Sequence, residues 1–216
     1  MPVTPSKNCD HMIDPELRSK RRPRHALAVG VWTLWIDHVG GFRLLEANQF
    51  SIGGVGGDDP ADVAVRSSWR SRVALLERSG DDYWLSVNGS GRQVVASDTP
   101  LPLDNEPGQP CLWLRRASPL TQTAVLQLDS PHRFVVPVDG FILVDSMVLI
   151  GPDRSSHIRT PQATVLLVML KRGDDWFIRE KDASPQLLVS GKAFQVGGLV
   201  MTLRREDEAA SNEEKK

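Results

Sequence analysis

Between residues 27 and 205 the chain is written in short apolar or alternating runs. In "WTLWIDHV", Leu34 and Ile36 fall on one face and Trp35 and Asp37 on the other, the two-residue period of a half-buried strand. "GFRLLE", "QFSIG", "DVAV", "RVALLER", "YWLSV", "CLWLRR", "TAVLQLD", "RFVVPV", "FILVD", "MVLIG", "TVLLVML", "WFIRE" and "LVMTLRR" are further runs of strand length, separated by Gly, Pro, Asp and Asn. Short strands spaced roughly 8–12 residues apart with turn signals between them predict a sandwich or barrel. The stretch nearest to helical spacing, "RSSWRSRVALLERSG", leads straight into a Gly-Asp-Asp turn and reads as the arm of a hairpin.

The pattern is written twice. Gly80-Asp81-Asp82-Tyr83-Trp84-Leu85 matches Gly173-Asp174-Asp175-Trp176-Phe177-Ile178. Upstream, "GFRLLEANQFSIGG" matches "GFILVDSMVLIGP" with one gap, and "LWID" matches "LQLD"; downstream, "LWLRR" matches "VMTLRR". Four collinear matches argue for duplication, with a period of about 90–99 residues that suits two tandem domains. In each copy Ile-Gly ends a strand with an apolar anchor and a residue free to turn. The Gly-Asp-Asp piece then supplies a hairpin turn, and the aromatic run after it fills a core.

This arrangement resembles the forkhead-associated (FHA) domain, whose pattern is a strand ending in Ile-Gly-Arg, an Asp-Ile/Val strand, Ser-Arg-x-His-Ala and a hairpin into an aromatic strand. The resemblance covers Leu34–Arg116 through "SIGG", "ADVAV" and "WRSRVALLERSGDDYWL", and Leu126–Arg205 through "LIGPDRSSHI" and "ATVLLVMLKRGDDWFI". It implies two tandem FHA-like β-sandwiches, 27–116 and 117–205, the second more degenerate. They are flanked by a disordered basic arm at 1–26 and a disordered charged tail at 206–216.

The family binds phosphothreonine peptides with an Arg after the first Gly, a Ser hydroxyl, a following basic residue and a loop Asn, all donors suited to a phosphate. Here the Arg position holds Gly54 in the first copy and Pro152 in the second. The Ser position falls on Arg70, or on Ser71-Arg72 one residue on, and on Ala163 in the second copy. The family's structural His is replaced by Val73 and Leu166, and its loop Asn-Gly corresponds to Asn88-Gly89, which equally reads as a plain hairpin turn. Asp153-Arg154-Ser155-Ser156-His157 places polar groups in the corresponding loop of the second copy, where a Pro-Asp turn is the simpler reading. The first copy keeps a denser cluster, so the candidate ligand-binding residues are Arg66, Ser68, Arg70, Ser71, Arg72 and Asn88. Three arginines with hydroxyls among them can hold an anion, although charge on an edge strand also protects it from pairing. Trp69, inside the cluster, is placed to pack a peptide.

Composition narrows the alternatives. The 216 residues carry a net charge of −1, with 40% hydrophobic and 25% charged residues, so no global field draws the chain to nucleic acid or membrane. No apolar run approaches the roughly 20 residues of a membrane span, and no secretory pattern opens the chain, so a cytoplasmic protein is expected. Cys9 and Cys111 form no staple framework, and Cys9, Asp10 and His11 lack the distant fourth ligand of a metal site. "GGVGGDD" lacks the Lys-Ser/Thr and helix of a nucleotide loop, and His38, His132 and His157 show no catalytic spacing. Neither cofactor nor metal nor catalytic residue is therefore expected. The leading expectation is a non-enzymatic protein-interaction or scaffold module with weakened or lost phosphothreonine recognition. A phosphopeptide-binding signalling adaptor working through the first sandwich is the alternative. Arg18, Lys20, Arg21, Arg22 and Arg24 raise a third reading, contact with nucleic acid through the arm.

Overall fold

The computed structural model describes residues 31–56, 59–103 and 108–206, so the arm at 1–26 and nearly all of the tail at 206–216 lie outside the described residues. The fold is all-β. The first half of the chain supplies β1 (Trp32–Ile36), β2 (Gly40–Leu45), β3 (Gln49–Gly53), β4 (Val63–Ala64), β5 (Ala74–Ser79), β6 (Asp82–Val87), β7 (Gln93–Val95), β8 (Thr99–Pro100) and β9 (Leu112–Arg115). The second half supplies the corresponding nine: β10 (Ala124–Leu128), β11 (Gly140–Leu143), β12 (Met147–Gly151), β13 (Ile158–Arg159), β14 (Leu167–Arg172), β15 (Asp175–Glu180), β16 (Gln186–Leu188), β17 (Ala193–Val196) and β18 (Leu199–Arg205).

Two five-stranded sheets have the same order, β4-β3-β5-β6-β7 and β13-β12-β14-β15-β16. They share one eight-stranded sheet, β17-β18-β1-β2-β11-β10-β9-β8, which reads the same from either end once each strand is replaced by its counterpart in the other half. At its centre β2 and β11, the two "GF" strands, run parallel, with Phe42 opposite Gly140 and Leu45 opposite Leu143.

The two cores do not divide the chain at residue 116. The first packs Phe50, Ile52, Leu76, Tyr83 and Leu85 against Leu112, Leu114, Leu126 and Phe141. The second packs Val148, Ile150, Leu167, Met169, Trp176 and Ile178 against Leu34, Phe42, Leu44, Met201 and Leu203. Each sandwich therefore takes its leading hairpin from the other half. Hairpin β10-β11 completes the first sandwich by pairing β10 with β9, and hairpin β1-β2 completes the second by pairing β1 with β18. The reason lies in β11, where Phe141 and Leu143 enter the first core while Ile142 enters the second. A strand buried on both faces reads as a continuous apolar run, as "FILV" does.

The duplicated Gly-Asp-Asp-aromatic phrase forms matching hairpins. Gly80 and Gly173 both adopt φ 61, the left-handed conformation that favours glycine at the turn. The first aromatic, Tyr83 or Trp176, is fully buried. The second points outward and carries a guanidinium: Arg92 stands 4.8 Å above Trp84, and Arg172 stands 5.5 Å above Phe177.

Some predicted strands shrink. "DVAV" pairs over only two residues, and "RFVVPV" contributes a single bridge, Val65 to Phe134. Pro137 has no N–H to give a ladder, which limits that segment. Among the described residues no helix is long and apolar enough to cross a membrane.

Candidate functional site

The loops at one end of the first sandwich are held by close backbone contact. A side chain at Gly53 would place its Cβ 1.9 Å from the Ser71 carbonyl oxygen, and one at Gly54 would meet the Trp69 carbonyl oxygen at 2.2 Å. The Gly54 N–H donates to the Arg70 carbonyl at 2.7 Å, and the Val73 N–H donates to the Ile52 carbonyl at 2.8 Å. "SIGG" is thus a strand end over which the β4–β5 loop folds directly. The position that carries arginine in the FHA pattern has no space for a side chain of any size.

Trp69 causes this closure. It is 6% exposed and belongs to the first core, so the expectation that it packs a peptide is corrected. An indole of that area is stabilised far more by apolar packing than by standing in water, and burying it draws the backbone of residues 69–71 onto Gly53 and Gly54.

Outside this closure lies a groove of about 980 Å³ along the solvent face of the first five-stranded sheet. Gln49, Ser51, Leu75, Glu77 and Ser86 line it from the strands, and Asp62, Arg70, Arg72 and Asn88 from the loops. Asp62 clamps the β3–β4 loop to the sheet: the Ser51 N–H and hydroxyl each donate to its carboxylate at 2.7 Å, and its own N–H donates to Ser51 Oγ at 3.0 Å. Asn88 has φ 49 and Gly89 φ 77, and the Ser90 N–H donates to the Val87 carbonyl at 2.8 Å. This is a tight hairpin turn, and it also presents Asn88 to the groove.

Of the six sequence-predicted residues, Arg70, Arg72 and Asn88 share this groove. Ser68 does not line it; its hydroxyl and the Gln109 side chain bond each other on the exposed surface. The Arg66 N–H donates to the Arg133 carbonyl at 2.9 Å, so Arg66 stands where β4 meets the 133–138 segment. Ser71 serves through its backbone, against Gly53. The cluster that looks continuous in sequence is split because residues 66–71 run through successive bends rather than along one strand face, so Arg66 and Ser68 are carried away from Arg70 and Arg72.

The groove has mixed charge. Arg72 pairs with Asp59 at 2.9 Å, and Glu77 with Arg92 at 3.4 Å. Arg78 donates to the Val144 carbonyl and to Asn48 Oδ1, each at 2.8 Å. Among the described residues Arg70 makes no ion pair, so it is the guanidinium left to a ligand. Asp62, Glu77 and Arg78 were not among the predicted site residues. Glu77 is the one of these with a local signal, a polar residue at an outward position of the alternating "VALLER".

A second cavity, of about 620 Å³, lies where β9 and β10 meet the β12–β13 loop. Arg115, Arg116, Arg154, Arg159, Asp98 and Gln127 line it. Arg115 crosses between the sandwiches, donating to the carbonyls of Ser156 at 3.2 Å and His157 at 2.6 Å. Burial holds the Arg115 guanidinium below its usual pKa; Asp98 acts against that, and the neighbouring Arg159 adds to it. His157 is buried behind this contact and accepts the Leu149 N–H on Nδ1 at 2.9 Å. Its pKa is pushed down to about 4, first by burial and then by Arg115, with the Thr123 backbone acting the other way. Its ring is thus a neutral core group.

Among the described residues no cluster of three or more His, Cys, Asp or Glu side chains is arranged to hold a metal ion, and Cys111 is a free thiol. The basic arm residues Arg18–Arg24 lie outside the described residues. Comparison with protein-family models, curated proteins and solved structures finds no match to this chain.

Proposed function

We propose that this chain is a non-enzymatic interaction module of the cytoplasm, related in plan to FHA domains, that takes an extended segment of a partner protein in the groove of its first sandwich without requiring a phosphate. The observation that carries this reading is the closure of residue 54 by the Trp69 loop, which leaves no side chain where the FHA pattern places its arginine. The groove that remains mixes Arg70, Arg72 and Arg78 with Asp62 and Glu77. A phosphate dianion entering it meets carboxylates at close range, which costs affinity, whereas a peptide carrying charges of both signs finds complements. Backbone groups of an extended peptide also find hydrogen-bonding partners in Asn48, Gln49, Ser86, Asn88 and Ser90 along the rim and floor.

The test is an array of peptides in paired phosphorylated and unmodified forms, probed with the full chain and followed by calorimetry of the best binders. The expected outcome is equal affinity within each pair and a loss of roughly tenfold on Arg70→Ala, the cost of one charge-assisted contact. Phosphothreonine peptides that bind while their unmodified forms do not, through Arg70 or Arg72, would favour the adaptor reading instead.

A further inference from the structure

We propose that Arg115, Arg116, Arg154 and Arg159 form a binding site for a phosphate-type dianion at the seam between the two sandwiches. This goes beyond the peptide groove and stands on different residues. The four guanidiniums line one cavity with a single carboxylate, Asp98, so the lining carries three net positive charges. None of the four lies within ion-pair distance of a carboxylate among the described residues.

Their fixed contacts are to backbone carbonyls. Arg115 is tied to Ser156 and His157, Arg116 donates to the Asp81 carbonyl at 2.7 Å, and Arg159 donates to the Pro152 carbonyl at 3.2 Å. Carbonyl tethers hold a guanidinium in place without neutralising it, which leaves its charge and its remaining N–H donors for an anion. Gathering four like charges around one cavity is unfavourable until an anion enters it. A phosphate monoester brings close to two negative charges and several acceptor oxygens, which matches this donor set.

The duplication supplies a control inside the molecule. Arg159 sits opposite Gly151 in the β12–β13 ladder, and the residue in the same place of the β3–β4 ladder is Ala64, opposite Gly53. The first copy's loop between those strands carries Asp59 and Asp62 and no arginine, whereas the second carries Asp153 and Arg154. The two copies share a backbone plan, and the first has no arginine at the places of Arg154 and Arg159, so those two members of the basic seam are not demanded by the fold. Arg154 stands exposed at the corner of the turn closed by the Ser156 N–H and the Asp153 carbonyl at 3.1 Å, with no side-chain bond to any of the described residues.

The experiment is calorimetry of the full chain at constant ionic strength with inorganic phosphate, pyrophosphate and succinate. Phosphate and pyrophosphate are expected to bind and succinate to bind far more weakly. Arg154→Ala and Arg159→Ala, both at exposed positions, are each expected to lower pyrophosphate affinity roughly tenfold or more. Arg70→Ala in the peptide groove is expected to leave it unchanged, so failure at one site is distinguishable from failure at the other. Free phosphoserine and a phosphoserine peptide then assign the source. Equal affinity identifies a small phosphate ester, and tighter binding of the peptide through the same arginines identifies a modified protein. Succinate binding as tightly as phosphate, or wild-type affinity in the Arg154→Ala, Arg159→Ala double variant with its fold intact by circular dichroism, would overturn the proposal.

Discussion

Arg78 and Asp145 stand 3.8 Å apart, and their counterparts in the other half of the chain, Lys171 and Glu46, form the matching ion pair. Each basic residue is the penultimate one of β5 or β14 in one sandwich, and each acidic residue lies in the connector that leads from the shared central strands into the other sandwich. The pairs therefore lock the two crossing points of the exchanged hairpins.

Removing one partner of such a lock is costly because the other is left half-buried. The side chains of Lys171 and Glu46 are 20% and 19% exposed, and Glu46 Oε1 already lacks a partner among the described residues. Lys171→Met is expected to lower stability by about 1–3 kcal/mol. Arg72→Ala, which breaks only the exposed pair with Asp59, is expected to cost under about 1 kcal/mol. Urea unfolding of both variants checks the contrast; equal midpoints would remove the lock from the account.

Hairpin exchange dictates which fragments fold. The buried residues of the first core all fall between Leu45 and Leu143, and outside that span only the partly buried Val31 packs against it among the described residues. A fragment spanning 45–145 is expected to give a dispersed amide spectrum and a cooperative melt. Fragments 27–116 and 117–205 are each expected to stay unfolded, because the first lacks β10-β11 and the second lacks β1-β2. A folded 27–116 would show that its own leading hairpin can cover its core.

Gly54→Arg introduces an arginine at a place with no room for it. With the added Cβ 2.2 Å from the Trp69 carbonyl oxygen, the loop must move, and a loss of about 1–3 kcal/mol or more is expected. Phosphothreonine affinity is not expected to appear. Wild-type stability together with new phosphopeptide binding in calorimetry would contradict both statements.

His157 gives stability a pH dependence of known sign. Its folded pKa, about 4, lies below the unfolded value near 6.5. The unfolded chain therefore binds more protons between those values, and stability rises with pH across that window. On acidification from pH 7 the contribution starts to fall near 6.5 and is exhausted below about 4. Protonation of Nδ1 also breaks the bond accepted from the Leu149 N–H. A loss of about 3 kcal/mol over the window is expected. Urea midpoints measured from pH 7.5 to 4.5 should slope for the wild type and flatten for His157→Gln.

The alternation along the chain determined the strands, and the repeated phrases determined that two halves share one plan, because both are local properties of side-chain spacing and turn chemistry. The glycines of "SIGG" and the two Gly-Asp-Asp turns were legible for the same reason. Arg70, Arg72 and Asn88, which meet in the groove, were legible as polar loop residues within a cluster whose other members turn away. What alternation does not specify is which sheet covers a buried face. That was decided by the pairing of β1 with β18 and β10 with β9, which closes the two sandwiches across the chain. Trp69 has a polar neighbourhood in sequence, and only the packed core drew it inward. The arginine seam joins residues about forty positions apart, on a strand of one sandwich and a loop of the other. No local pattern brings Arg115 to Arg154; the parallel contact of β2 with β11, which sets one sandwich beside the other, does.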